Sequence, residues 1–376
     1  MSKSNSKPEE LPSFFIITPV GLEKLALEEL KLWTDTLKQK YEFDIPGNIV
    51  TEKGGFEINL PFELGFALNR VLKIPSRVVL RIRSFQSKDQ TRLATKVRTT
   101  EWRKYVGRGK IDWRISSHGS YLNHERDLID LCERAFQRYR VGQRASEKDS
   151  DHVQQVFVRL LDDRATLSAD TSGEHLHKRG YKKMSVRAPL RESLASACLQ
   201  YMIAKNQAEL KDIQLVDPMM GSGTLLGEAA QLYSSNLNRF YSFEGFNKKT
   251  FPFLRQPAAD LDLGFGFKSF RGSDIDQKAV EAAKQNLSFI KEAELSKDDL
   301  FSDQELPKDK RWVIMNPPYG ERLEKGTSMG QYFDKAIKAT VKKYQPEKLG
   351  ILMPQNIFKE LANDFSGLQK SRHMVL

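Results

Sequence analysis

DPMMGSGT, residues 217–224, follows a short apolar segment at 213–217 and precedes a segment with helical periodicity. A strand that runs through a glycine loop into a helix is typical of the first strand of a parallel, doubly wound α/β sheet. Gly221 and Gly223 allow the backbone to approach a ligand closely, and the free N–H groups of the helix that begins at Thr224 lie at the same place. The segment therefore predicts a ligand-binding loop at the carboxyl end of a buried strand.

The same loop does not match two common phosphate sites. A dinucleotide fingerprint needs its third glycine where Leu226 stands, and a P-loop needs a lysine that this loop lacks. Asp217, at the start of the loop, would repel a pyrophosphate and attract a cation. S-adenosylmethionine (SAM) carries a sulfonium and an amino group but no phosphate, so it fits this pattern. An ordinary glycine turn without a ligand is the alternative.

Strand-like and helix-like segments alternate from residue 190 onwards, and Pro189 marks the start of the first helix. The predicted strands are 213–217, 270–274, 294–297, 312–315, 349–353 and 372–376. The predicted helices are 190–206, 224–232, 277–290 and 330–343. This alternation predicts an α/β domain with a Rossmann-like, doubly wound sheet, in which residues 234–268 form an insertion between the first helix and the second strand.

Two carboxylates follow the next strands. Asp274 ends the segment 270–274 and can accept hydrogen bonds from both hydroxyls of a ribose. Asp276 is placed to cap the helix that begins at Gln277. Asp299 follows the segment 294–297 and can accept a hydrogen bond from an adenine amino group, although a solvated loop explains Asp299 equally well.

NPPY, residues 316–319, follows a short apolar run and therefore lies at a strand's carboxyl end, where open α/β sheets bind ligands. The amino group of a nucleobase is a weak nucleophile because its lone pair is delocalised into the ring. The side-chain oxygen of Asn316 and the backbone carbonyl of Pro317 can accept its two hydrogens and direct the lone pair at a methyl group. Pro318 stiffens the turn, and Tyr319 can stack on an unpaired or flipped base. A turn that merely ends the strand is the alternative.

The N-terminal part of the chain predicts a smaller α+β arrangement. A strand at 13–20, an amphipathic helix at 21–38 and a hairpin at 48–60 open it. Shorter helix-like and strand-like segments follow as far as residue 169.

Residues 70–114 are much richer in Lys and Arg than in Asp and Glu, and Phe85, Trp102, Tyr105 and Trp113 lie among these cations. Phosphates bind cations and unpaired bases stack on aromatic rings, so this stretch predicts an RNA-binding surface. A solvated basic face is the alternative.

The whole chain has 376 residues, a formal net charge of +11 and 39% hydrophobic residues. It contains no apolar run of membrane-spanning length and no apolar N-terminal segment typical of a secretory signal. Cys132 and Cys198 form no close pair, and the pair His175 and His177 favours a structural linker over a metal site. We therefore expect a cytoplasmic protein without a membrane or metal partner.

Three motifs in a fixed order carry a family resemblance: DPMMGSGT at 217–224, GSDID at 272–276 and NPPYGERL at 316–323. This order resembles the class I SAM-dependent methyltransferases that act on exocyclic base amines. HLHKRGY at 175–181 and APLRESLA at 188–195 are similar to the linker and following helix of THUMP-containing RNA methyltransferases. The resemblance covers nearly the whole chain and is strongest to the RlmL type, which methylates guanine N2 in 23S ribosomal RNA.

This resemblance implies a role for each motif. The cofactor SAM would contact Asp217, Pro218, Gly221, Gly223, Thr224, Asp274, Ile275, Asp299 and Asn316. The target base would be held by the catalytic motif of Asn316, Pro317, Pro318 and Tyr319. The implied organisation is a ferredoxin-like module at 1–60, a THUMP RNA-binding domain at 61–170, a linker at 171–188 and a methyltransferase domain at 189–376.

Three alternatives compete with a ribosomal RNA guanine-N2 methyltransferase. A transfer RNA guanine-N2 methyltransferase would need the same site. An adenine-N6 DNA methyltransferase shares the NPPY motif but leaves the basic N-terminal part unexplained. An RNA-binding assembly factor with a vestigial cofactor pocket would leave the intact motifs unexplained.

Overall fold

A computed structural model describes residues 11–47, 49–106, 109–141, 153–184, 190–204, 206–302, 305–318 and 328–361. The chain forms two compact units. Unit 1 comprises Met1–Pro19, Leu30–Leu176 and Arg239–Asp260, and unit 2 comprises Val20–Glu29, His177–Asn238 and Leu261–Leu376.

Seven strands form the sheet of unit 1. They are β1 (Ser13–Ile17), β2 (Thr51–Glu52), β3 (Gly55–Asn59), β4 (Arg77–Gln86), β5 (Ile111–His118), β6 (Gln154–Leu161) and β7 (Arg164–Asp170). The helices before residue 176 are α1 (Glu23–Leu32), α2 (Thr34–Tyr41), α3 (Phe62–Val71), α4 (Gln90–Arg98) and α5 (Glu125–Val141). The strand order is β2-β3-β1-β4-β7-β6-β5, and β5 and β6 form its parallel pair. One sheet therefore contains strands from both sides of residue 60, where the sequence suggested a boundary.

The aromatic residues of the basic stretch at 70–114 pack in the core. The expectation that they stack on unpaired bases is therefore wrong. Trp102 is fully buried, and Phe85 and Trp113 are also buried. The rings of Trp102 and Trp113 pack edge to face at 5.4 Å, and Tyr105 is half-buried. The hydrophobic effect explains the difference, because large rings that alternate with cations on a strand or helix turn towards the core while the cations remain outside.

Residues 239–260, part of the insertion predicted from the sequence, belong to the core of unit 1. The ring of Phe243 stacks on that of Phe66 with 4.8 Å between centroids, and Phe251 packs against Phe62 at 5.0 Å. The Ser242 hydroxyl also hydrogen-bonds the side-chain oxygen of Gln154 at 3.0 Å. Unit 1 is thus completed by a segment that follows His177–Asn238, which belong to unit 2, in the sequence.

Unit 2 contains a five-stranded parallel sheet with the order β10-β9-β8-β11-β12. Its strands are β8 (Gln214–Asp217), β9 (Ser269–Asp274), β10 (Ala293–Lys297), β11 (Arg311–Met315) and β12 (Lys348–Ile351). Its helices are α6 (Glu192–Ile203), α7 (Thr224–Ala230), α8 (Gln277–Asn286), α9 (Met329–Tyr344) and α10 (Gln355–Leu361). Every residue of β8 and β11 is buried, as expected for central strands of a parallel sheet covered on both faces. The predicted Rossmann-like fold is confirmed.

Several predicted boundaries differ from the structure. The helix expected at 21–38 ends after Leu32, and α2 begins after the buried Trp33. Helix α6 begins at Glu192, and α10 was not predicted. Pro189 and the predicted strand 372–376 lie outside the described residues. Within the described ranges, no helix is both long and apolar enough to cross a bilayer.

Candidate active site

The carboxyl ends of four neighbouring strands place the predicted site residues at one edge of the sheet in unit 2. Strand β8 is parallel to β9 and β11, with Asp217 opposite Gly272 and Val216 opposite Val313. Strand β10 continues the sheet beyond β9, with Lys297 opposite Asp274. Since Asn316 follows β11 directly, it emerges at the same edge as Asp217 and Asp274.

The glycine loop between β8 and α7 adopts a conformation that other residues would strain. Gly221 and Gly223 have φ values of 53° and 82°, in the left-handed region. A Cβ atom on Gly223 would also lie 2.7 Å from Leu287. The loop is bonded to the end of β9, because the Met220 N–H donates to the Ser273 carbonyl at 3.0 Å and the Gly221 N–H donates to Asp274 Oδ2 at 2.9 Å.

Asp217 is a buried carboxylate with few interactions to offset the cost of burying its charge. Its side chain accepts one hydrogen bond, from the Met219 N–H at 3.2 Å, and no cation among the described residues pairs with it. Burial, together with the nearby charge of Asp274, raises the pKa of Asp217 to about 8. A positively charged ligand group would stabilise the ionised form, as the sequence suggested.

Asp274 is half-buried and links the two sides of the site. Its Oδ2 accepts from Gly221, and its Oδ1 accepts from the Asp276 N–H at 3.0 Å. Each oxygen keeps a lone pair for a ligand hydroxyl. The apolar side chain of Ile275 beside it is 66% exposed, so a flat ring could pack on it. Asp276 caps α8 by accepting from the Lys278 N–H at 2.9 Å, so the predicted N-cap is confirmed.

Asp299 lies in the loop that follows β10. Its Oδ1 accepts from the Phe301 N–H at 3.0 Å, and its Oδ2 has no hydrogen-bond partner among the described residues. Lys343 of α9 fixes this loop by donating to the Asp298 side chain, the Asp299 carbonyl and the Ser302 hydroxyl.

Asn316 has an amide that is free to bind a ligand. Its side chain is half-buried, and no described residue forms a hydrogen bond with it. Pro317 is buried and Pro318 is half-buried, so the turn is held by packing. The contrast with Asn286 is informative, because all four hydrogen-bonding positions of that buried amide are used. Tyr319 lies outside the described residues.

Tyr332 of α9 is a site residue that the sequence did not reveal. Its hydroxyl lies 3.9 Å from the sulfur of Met219 in the glycine loop. Burial and the charges of Asp299 and Asp274 raise the pKa of Tyr332 to about 12, which places it electrostatically near both carboxylates. No motif surrounds Tyr332, and helical periodicity alone cannot distinguish it from an ordinary core tyrosine.

The part of the predicted linker at 179–184 is built onto the glycine loop and α7. Lys182 Nζ donates to Thr224 Oγ1 at 3.0 Å and to Glu192 Oε1 at 3.1 Å. Asn286 joins the backbone of Met184 to the Ser222 carbonyl, with bonds of 2.7 and 3.0 Å. These contacts hold the glycine loop in place. In the sequence, only the cluster of polar residues at 175–183 pointed to them.

These residues fit the predicted cofactor. Asp217, a buried carboxylate that no described cation pairs with, suits the positive groups of SAM. Asp274, a half-buried carboxylate beside the exposed Ile275, suits a ribose joined to a flat ring. The described residues contain no cluster of side chains that could hold a metal ion.

A family model for the RMKL-like methyltransferase domain (UPF0020) matches residues 179–374, more than half of the chain. The ribosomal RNA large subunit methyltransferase K/L of Syntrophotalea carbinolica is 27% identical over 336 residues, covering 82% of this chain and 44% of that protein. The chain therefore spans less than half the length of this curated relative.

Two solved structures share the fold along most of the chain. A possible methylase from Clostridium difficile 630 is 25% identical, with a TM-score of 0.72 over 93% of this chain and 92% of that one. SMU.472, solved in complex with SAH, is 21% identical, with a TM-score of 0.70 over 94% and 93% of the two chains. By the extent of the family match, this chain belongs to the RMKL-like methyltransferase domain family.

Proposed function

We propose that this chain transfers a methyl group from SAM to the exocyclic N2 amine of a guanine in 23S ribosomal RNA. The observation that carries the proposal is the pairing of two groups at one sheet edge. Among the described residues, no cation pairs with the buried carboxylate of Asp217 and no group hydrogen-bonds the half-buried side-chain amide of Asn316. The carboxylate suits a cationic cofactor and the amide suits an amine. The two groups lie near each other because Asp217 ends β8, Asn316 follows β11, and these strands are neighbours in the sheet.

The cofactor supplies an electrophilic methyl group when it is bound. The ionised Asp217 attracts its positive groups, and the backbone at Pro218, Gly221, Gly223 and Thr224 surrounds its methionine end. Asp274 accepts from the ribose hydroxyls, Ile275 packs on the adenine, and Asp299 accepts from the adenine amino group.

The residues after β11 hold the base. The Asn316 side-chain oxygen and the Pro317 carbonyl would accept the two amine hydrogens, direct the nitrogen lone pair at the methyl carbon and stabilise the positive charge that develops on the nitrogen. The new nitrogen–carbon bond would replace the carbon–sulfur bond of the sulfonium, and the nitrogen would become neutral again by losing one proton to water. Pro318 fixes the turn, and Tyr319 stacks on the base after it leaves its helix.

Ribosomal RNA is the substrate favoured by the name of the curated relative. We propose that residues 1–60 and 61–170 form the RNA-binding modules, joined by a linker at 171–188 to the methyltransferase domain at 189–376. Lys88, Arg92 and Arg98 are exposed cations available to phosphates. The protein would act in the cytoplasm.

Nucleoside mass spectrometry of ribosomal RNA tests the base assignment. Undermethylated ribosomal RNA incubated with the protein and SAM is expected to gain N2-methylguanosine. Formation of N6-methyladenosine alone would reject guanine, and methylation of transfer RNA or duplex DNA in preference to ribosomal RNA would reject the proposed substrate.

Asn316→Ala tests the amine-binding role. Because the variant removes one of two acceptors at the reacting nitrogen, we expect kcat to fall by about 10²–10³-fold while the Kd for SAM changes by less than about threefold. Single-turnover methyl transfer and calorimetry measure the two quantities. Asn238→Ala, at an exposed asparagine of the same unit, is the matched control. A loss of SAM affinity as large as the loss of rate would contradict the role given to Asn316.

A further inference from the structure

Lys343 near the C-terminal end of α9 has a buried ammonium group with three protein acceptors. Its side chain is 2% exposed. It donates to Asp298 Oδ2 at 2.7 Å, to the Asp299 carbonyl at 2.9 Å and to Ser302 Oγ at 2.8 Å. An ammonium group has three hydrogens to donate, so all three are used within one five-residue loop.

This loop is the part of unit 2 that follows β10, at the same sheet edge as the glycine loop. One end is bonded to β9, because the Asp298 N–H donates to the Asp274 carbonyl at 3.1 Å. The Ser302 N–H donates to the Asp299 carbonyl at 3.1 Å, which forms a tight turn. Lys343 adds the bonds that connect this turn to α9.

The consequence for Asp299 is a fixed backbone and one committed side-chain oxygen. Its carbonyl accepts from Lys343 and its Oδ1 accepts from Phe301. Asp299 is exposed, and its Oδ2 has no partner in the described part of the chain. An acceptor held in this way is preorganised for one donor, such as the amino group of adenine.

We propose that Lys343 is a positioning residue for adenine recognition, acting through the loop 298–302. This inference rests on the proposed use of SAM, and it assigns a role to a residue that is too buried to contact the cofactor. Removal of the ammonium group releases three bonds to the loop, so Asp299 is no longer held where an amino group can reach it.

A double-mutant cycle in SAM affinity tests this role. The proteins are the full chain, Lys343→Met, Asp299→Ala and the double variant, and calorimetry with SAM measures Kd for each. We expect each single change to raise Kd about tenfold, the effect of losing one good hydrogen bond. If Lys343 acts through Asp299, the double variant has nearly the same Kd as the single variants. Multiplying effects, about a hundredfold together, would overturn the proposal.

A second measurement remains informative if Lys343→Met folds poorly. Ser302→Ala removes one of the three acceptors and retains the ammonium group. The readout is the ratio of Kd for a SAM analogue with oxygen in place of the adenine amino group to Kd for SAM itself. We expect Ser302→Ala and Lys343→Met to lower this ratio several-fold, and an unchanged ratio in a folded variant would contradict the proposal.

Lys338→Met is the matched control for both measurements. Lys338 lies on the same helix and its exposed side chain pairs with Asp334, so this change removes an equal charge but none of the hydrogen bonds that hold the loop 298–302. Its Kd and its analogue ratio should equal those of the wild type, and equal losses in Lys338→Met would reject a specific role for Lys343. If the wild type does not bind SAM, the proposed function itself fails; if it binds SAM and the effects multiply, only the role of Lys343 fails.

Discussion

Two buried carboxylates in unit 2 lie only eleven positions apart in the sequence but differ in their partners: one is paired with a buried arginine, and the other is paired with no described cation. Glu228 of α7 is fully buried and lies 3.3 Å from both Nε and Nη2 of the buried Arg179. It also accepts from the Ser196 hydroxyl at 2.6 Å. Asp217, at the end of β8, is 1% exposed but accepts one backbone hydrogen bond.

The difference separates a group that stabilises the fold from one that is available to a ligand. A buried charge is costly unless it is paired, and Glu228 has its pair within the protein. Asp217 has none among the described residues, and its pKa rises to about 8. Burial alone therefore does not distinguish a carboxylate that binds a ligand from one that stabilises the fold, whereas the lack of an internal cation favours ligand binding.

The largest effect is expected for Glu228→Gln. This change keeps the shape but leaves the Arg179 charge buried without its carboxylate, so we expect a destabilisation of about 3–5 kcal/mol. Hydrogen exchange of the α7 amides measures the opening free energy. The exposed Glu292→Gln is the control. A loss of stability below about 1 kcal/mol would contradict the distinction between the two carboxylates, since Glu228 would then contribute as little to the fold as is expected of Asp217.

Asp217→Asn is expected to lower the affinity for SAM while leaving the stability nearly unchanged or increased. In the free protein at pH 7 the Asp217 carboxyl is mostly protonated because its pKa is about 8, so replacing it with a neutral amide should change the stability by less than about 1 kcal/mol or increase it. The affinity for SAM should fall by about 10- to 100-fold, because a hydrogen bond or ion pair to a charged group is lost. Calorimetry and thermal unfolding give the two numbers. Strong destabilisation with unchanged SAM affinity would mean that Asp217 serves the fold.

Over a single pH unit, the smallest expected effect is the pH dependence of the stability. The pKa of Asp217 is about 8 in the folded chain and about 3.9 when unfolded. Between these values the folded state keeps a proton that the unfolded state has lost. This contribution to stability is therefore complete below about pH 4 and declines as pH rises through 8, by at most about 1.4 kcal/mol per pH unit.

The same proton connects pH to cofactor binding. A cationic ligand favours the ionised carboxylate, so SAM binding at pH 7 should release up to about one proton. Calorimetry in buffers of different ionisation enthalpy measures that number. Asp274 raises the pKa of Asp217, and Tyr344 lies within its electrostatic influence, so Asp217→Asn is the necessary reference. Equal proton release by wild type and variant would assign the proton to another group.

Much of unit 2 could be predicted from local patterns. A strand, a glycine loop and a helix fix the first βα unit, and the parallel sheet then brings Asp217, Asp274 and Asn316 to one edge, as observed. The capping role of Asp276 also followed from its position alone. These successes share one cause, because each depends on residues close in sequence or on a general rule of parallel sheets.

The failures depend on distant contacts. Trp102 and Trp113 lie among cations, and composition cannot distinguish a stacking surface from a core whose rim is basic. Lys343 looks like an ordinary cation in the last turn of a helix, and its acceptors are more than forty residues away. Tyr332 is hidden for the same reason. The residues around Lys343 and Tyr332 in the sequence do not show which distant loop their helix packs against.

The return of residues 239–260 to unit 1 has a consequence for biosynthesis. The rings of Phe243 and Phe251 fill the core around Phe66, so this core cannot close when Leu176 leaves the ribosome. It must wait for about eighty further residues, during which apolar surface stays uncovered and open to chaperones. For the same reason, no single proteolytic cut or gene truncation yields both units intact.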